Sequence, residues 1–168
     1  MVDFMGMKNC IVSLVTLLIS SLCHAENWLY YDIKYPENQF LLNDNPRYSA
    51  WYHSVGNVEF CPQTNGFYCF NADNFKFAVP KKLNRHMESW VFDNVKYTVS
   101  GISNRSILGK KYLTYLVDRE FEAYNLRFIY TEEAGLIAIT TIGEKQGIFL
   151  MLANKCGYAA PAACYREK

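Results

Sequence analysis

The sequence predicts an α+β or mainly-β fold, an antiparallel sheet with a meander in its C-terminal half, one packed helix near 46–55 and two disulfides. Three observations carry this. Runs rich in aromatic and β-branched residues recur along the chain, separated by turn residues. Only one stretch among them shows a helical apolar period. Four cysteines downstream of residue 25 fall into two pairs with equal spacing.

The elements follow in order. Trp28 to Tyr35 reads WLYYDIKY, an aromatic strand stopped by Pro36. Asn45-Pro46 has the form of a helix start, with Asn45 as N-cap and Pro46 at the first helical position. Tyr48, Trp51, Tyr52 and Val55 then lie on one helical face, and Gly56 ends the pattern. His53 falls on the opposite face of that helix. Residues 57–79 read as short strands joined by the turn cluster PQTNG. Residues 81–90 are a loop or short helix, residues 91–100 are extended, and GISNRSILGKK at 101–111 is a loop. Tyr112 to Val117 is a strand that can run on to Tyr124. Leu126 to Tyr130, Leu136 to Ile142 and Ile148 to Ala153 are three more, joined by short turn-rich links as in a meander. The residues from Cys156 to the end read as a small-residue loop and tail.

Residues 1–25 have the pattern of a signal peptide, and residues 26–168 are expected to form a single exported globular domain. Ile11 to Leu22 is a twelve-residue uncharged run, too short to span a bilayer as a helix. Lys8 precedes it, and a small residue precedes the expected cut after Ala25. A start at Met7 would give a cleaner leading segment. The expected location is periplasmic or secreted, with no membrane span after cleavage.

Cys61, Cys69, Cys156 and Cys164 remain after that cut. In an oxidising compartment an even set suggests disulfides. Each pair is eight residues apart, so local bridges 61–69 and 156–164 close two short loops. The spacing suits neither zinc, which favours closer pairs, nor a C-x-x-C redox motif. No metal or cofactor is expected.

Lys+Arg is 17 and Asp+Glu is 16, so the 168-residue chain carries a net charge of +1 and no electrostatic footprint for nucleic acid. The sequence holds no nucleophile elbow, H-E-x-x-H or phosphate-binding glycine loop. Two basic stretches stand out, Lys81, Lys82, Arg85 and His86, and Arg105, Lys110 and Lys111. They solvate loops or steer an acidic partner. Asp118, Glu120 and Glu122 alternate, which on a strand places three carboxylates on one face. They form a solvated face or an acidic site for a carboxylate-based hydrolase. The tyrosine surplus serves packing between strands or anchors a partner.

The reading that gathers these features is a small exported protein-binding module. A periplasmic inhibitor or immunity protein that occludes a toxin or hydrolase fits it best. The alternatives are the carboxylate-based hydrolase and a structural component of an envelope or secretion assembly. The partner in the first reading is a protein.

Overall fold

The computed structural model describes residues 26–62, 64–73, 75–107, 109–120, 125–143 and 147–166. The signal-peptide reading and Glu122 lie outside them. The strands are β1 (Asn27–Asp32), β2 (Gln39–Asp44), β3 (Arg47–Trp51), β4 (Ser54–Asn57), β5 (Glu59–Phe60), β6 (Phe67–Asn71) and β7 (Lys76–Pro80). They continue as β8 (Ser89–Phe92), β9 (Val95–Ile107), β10 (Lys110–Arg119), β11 (Asn125–Thr131), β12 (Gly135–Ile142) and β13 (Phe149–Leu152). A short helix, α1 (Ala162–Arg166), follows.

Among the described residues, ten strands form one antiparallel sheet in the order β4-β3-β2-β1-β13-β12-β11-β10-β9-β8. It is two meanders joined where β1 meets β13, so the expected C-terminal meander is one half of a larger sheet. Strands β5, β6 and β7 form a second, three-stranded sheet. Alternation of side chains sorts the large sheet into two faces. The row Val117, Phe128, Ile139 and Leu150 runs across four strands and is fully buried. The neighbouring row runs Leu116, Ile129, Ala138, Met151 and Tyr31, and it forms the outer face.

The small sheet packs on the inner face through aromatic rings. Phe77 lies 5.1 Å from Phe128, and Phe70 lies 6.2 Å from Phe40, centroid to centroid. Trp90 stacks on Tyr97 at 5.8 Å and donates its indole N–H to the Ala78 carbonyl at 3.1 Å. Each buried ring removes apolar area worth roughly 25 cal/mol per Å² from water, and the indole is satisfied as burial requires.

The helix expected near 46–55 is absent. That segment is a hairpin, with Phe40 opposite Trp51 and Tyr48 opposite Asn57. Aromatic residues that trace a helical stripe are also good strand formers. Pairing with β2 brings the Trp51 ring to 6.3 Å from Phe40 and 5.5 Å from Phe75. Tyr52 has φ +53°, a turn conformation, and it and Val55 are exposed rather than packed. Asn45-Pro46 is the two-residue turn between β2 and β3, joined by a cis peptide bond.

The loop expected at 101–111 is also replaced. β9 is thirteen residues long and pairs with β10 up to Ile107 opposite Lys110. These residues are polar because a two-stranded arm leaves much of its surface to solvent. Residues 81–88 are turns, as expected, and the tail carries α1. Both disulfides, Cys61–Cys69 and Cys156–Cys164, pair as the spacing suggested.

Candidate functional site

Two clefts open on different parts of this scaffold. The first lies on the outer face and is built by the β9–β10 arm. β10 pairs with β11 only from Tyr115 to Arg119, and β9 pairs with β8 only from Val95 to Thr98. Past a register shift at Leu116/Val117, the arm leaves the ladder with β11. Its end packs on the outer face, where Tyr112, Ala134 and Ile137 form a small apolar cluster with Ile107 and Met151. Ile137 is the extra residue of a bulge in β12, which explains how it reaches this side.

A cleft of about 350 Å³ remains between the arm and the sheet. Ile129, Ile137, Phe149 and Met151 line the sheet side, and Arg105, Ser106 and Ile107 line the arm side. Apolar surface continues beyond it, because Met151 pairs with Tyr31, which is 37% exposed, and Ile33 beside it is 52% exposed. Ile33 is anchored there by its backbone N–H to the Phe149 carbonyl at 2.9 Å. Lys110 and Lys111 are exposed on the arm. Lys110 Nζ reaches Glu133 at 3.8 Å and lies 5.3 Å over the Tyr112 ring.

The second cleft, of about 250 Å³, sits between the two sheets at one end. Its walls include Trp28 from β1, Phe60 from β5, Phe67 and Tyr68 from β6, and Tyr158 from the C-terminal segment. Trp28 meets Tyr158 edge-on at 5.1 Å, and Phe60 stacks on Tyr158 at 5.5 Å. Arg47 lies 6.0 Å over the Phe60 ring, and Lys81 Nζ lies 5.4 Å over Tyr68. Asp44 and Glu26 complete the polar lining, and Asp44 Oδ1 is 3.6 Å from Arg47 Nε.

Close backbone approach places Tyr158. Leu136 N–H donates to the Tyr158 carbonyl and Gly157 N–H to the Ala134 carbonyl, both at 2.8 Å. A Cβ at Gly157 would strike the Leu136 carbonyl, and one at Gly135 would strike the Tyr158 carbonyl, so both positions need glycine. Tyr158 donates its hydroxyl to the Cys69 carbonyl, tying the C-terminal segment to the small sheet. Burial pushes the Tyr158 phenol well above its usual range. Tyr165 accepts from the Trp28 indole at 2.9 Å, and burial pushes it up to about 12.

The sequence-derived candidates separate between these places. Lys81 lines the end cleft and Arg105 the outer one, so the two basic stretches do not form one surface around a single cleft. Lys82, Arg85 and His86 are exposed in the turns after β7, and His53 is exposed in the β3–β4 turn. Asp118 accepts both Arg127 Nε at 2.7 Å and Arg127 Nη2 at 2.8 Å, a bidentate pair across the β10–β11 ladder. Glu120 is exposed just past the end of β10. Among the described residues no cluster of three His, Cys, Asp or Glu side chains is placed to hold a metal. Sequence reading missed the end cleft, although the aromatic strand WLYYDIKY supplies one of its walls, Trp28. The chain matches no family model, no curated protein and no solved structure. Among the described residues no helix is long and apolar enough to cross a membrane.

Proposed function

We propose that this chain is an exported protein-binding module that grips its partner with the β9–β10 arm and the outer face of the sheet. Residues 1–25 act as a signal peptide cut after Ala25, and the folded remainder works in the periplasm or outside the cell. Two disulfides suit an oxidising compartment. The observation that carries the reading is the apolar cleft beneath the arm, continuous with exposed Tyr31 and Ile33. Apolar surface of this kind on a rigid sheet is a binding feature.

The occupant is an extended segment of a partner protein with an apolar side chain beside acidic residues. The apolar side chain fits the cleft between Ile107 and Met151. The acidic residues face Arg105, Lys110 and Lys111, which steer the encounter. Among the described residues no strand pairs with the edge of β9 from residue 101 to residue 107 on its β8 side, which offers that edge to an added strand. An inhibitor or immunity protein that occludes a secreted enzyme would act in this way, by holding a segment of the enzyme beneath the arm.

The test is site-specific cross-linking. A photoreactive residue at position 106, in the exported full chain, should label one protein at an acidic segment flanking an apolar residue. Arg105→Glu should reduce that labelling about tenfold, the size of one lost charge-assisted contact. Equal labelling by wild type and Arg105→Glu, or no labelled protein, would overturn the reading.

A further inference from the structure

The end cleft is the most heavily braced part of the molecule. Cys61–Cys69 closes the loop that carries Pro62 and leads into Phe67 and Tyr68. Cys156–Cys164 closes the loop that carries Tyr158, Ala159 and Ala160. Both covalent loops therefore support walls of one cavity. Ala159, in the wall, has φ +65°, a left-handed conformation that is strained for a non-glycine residue. Rigid walls lower the ordering cost of binding, and local strain concentrates at ligand sites.

We propose that the end cleft binds a single carbohydrate ring of hexose size. A pyranose has apolar C–H faces and a rim of hydroxyls, each able to donate and accept. The cleft offers the matching set. The rings of Phe60, Tyr68 and Tyr158 supply apolar wall, with Tyr158 stacked on Phe60 and the Arg47 and Lys81 cations over Phe60 and Tyr68. Arg47 and Lys81 supply donors, and Glu26 and Asp44 supply acceptors. These four formal charges sum to zero, which favours a neutral polar ligand over a strongly charged one. A volume of about 250 Å³ lies below the roughly 300–1,000 Å³ of sites for drug-sized ligands, so one ring fits and a longer chain must continue outside. The ring comes either as a free sugar or as the terminal unit of a glycan, and both share this chemistry.

Nuclear magnetic resonance of the Trp28 indole N–H tests the proposal, because Trp28 lines the cleft and its N–H, bonded to Tyr165, reports a change in the ring's surroundings. The exported, processed chain is titrated with glucose, galactose, mannose and N-acetylglucosamine, each as a monosaccharide and as a linear oligosaccharide. At least one should shift the Trp28 indole saturably while leaving the Trp90 indole in place, with a dissociation constant in the millimolar range or below. Equal affinity for the two forms identifies a terminal unit or free sugar. Tighter oligosaccharide binding shows that the chain continues along the surface. The variants Arg47→Gln and Lys81→Gln should each weaken binding roughly tenfold, with unchanged amide dispersion reporting an intact fold. Arg105→Glu, in the other cleft, should leave sugar binding unchanged. No shift with any of the sugars, or shifts that persist undiminished in the Arg47→Gln/Lys81→Gln double variant, would overturn the proposal.

Discussion

The two clefts are built by opposite means. The end cleft has covalent walls, since both disulfide loops and the closely docked segment around Gly157 frame it. Among the described residues no disulfide loop lines the outer cleft, although Cys164 packs against the cluster that seats the arm. The roof of that cleft is a hairpin arm, held down on the described residues mainly by Tyr112, Ile107 and their apolar neighbours. A binding surface that must adapt to a protein benefits from an arm that opens at low cost. A pocket for a small ring benefits from walls that do not move. The contrast predicts that the same kind of perturbation acts locally and differently in each region.

The largest separation should come from removing the Cys61–Cys69 bridge. In the chain-entropy view, closing an eight-residue separation stabilises by roughly 2–3 kcal/mol. The double variant Cys61→Ser/Cys69→Ser is expected to lower the unfolding free energy by that amount, read as a lower denaturant midpoint at unchanged slope. Hydrogen exchange should accelerate first in β5, β6 and the Tyr158 segment. If exchange in residues 101–114 of the arm rises equally, the two regions are one cooperative unit and the contrast fails.

The converse perturbation is Tyr112→Ala. Tyr112 is 9% exposed and fills the space between the arm and Ile137. Losing a ring of this burial costs about 2 kcal/mol. The expected result is loss of exchange protection confined to the arm, with the Trp28 and Trp90 indole resonances unmoved. A global loss of stability without selective opening of the arm would contradict the assignment of the arm as a separate, weakly held element.

Much of the framework was legible in the residues. The disulfide pairing followed from spacing, and β11, β12 and β13 followed from aromatic and β-branched runs between turn residues. Two errors share a physical origin. Tyr48, Trp51, Tyr52 and Val55 satisfy a helical period, but only Trp51 turns its ring into the core, against Phe40 and Phe75. A short aromatic run supports either period, and the decision came from pairing with β2 and from contact with Phe75, which a helical reading of residues 46–55 alone does not weigh. The polar stretch at 101–111 read as loop because an arm exposed on much of its surface lacks the alternation of a half-buried strand. Asp118, Glu120 and Glu122 alternate as a strand would, yet β10 ends at Arg119 and Asp118 is committed to Arg127. Neither cleft was legible, because each joins side chains from three or more elements distant in sequence.

Alkaline pH offers the gentlest way to compare the regions. Burial holds Tyr97 neutral up to about 12, and it raises the phenols of Tyr30 and Tyr158 further. An unfolded tyrosine ionises near 10. Below that pH both states are neutral at these groups and their contribution to stability is complete. Above it the unfolded state loses protons that the folded state keeps, so stability falls as pH rises. For Tyr97 the window runs from about 10 to about 12, at about 1 kcal/mol for each pH unit. Tyr158 lines the end cleft, and Tyr165, which accepts from the Trp28 indole, has its phenol pushed up to about 12. Ultraviolet phenolate absorbance should therefore rise in two stages, with the buried phenols of Tyr30, Tyr97 and Tyr158 last. The second stage should coincide with loss of near-ultraviolet circular dichroism, as buried rings ionise only when their walls open. A single smooth ionisation centred near 10 with the fold intact would mean that the end cleft is wet and loosely packed, and would remove the rigidity on which its contrast with the arm depends.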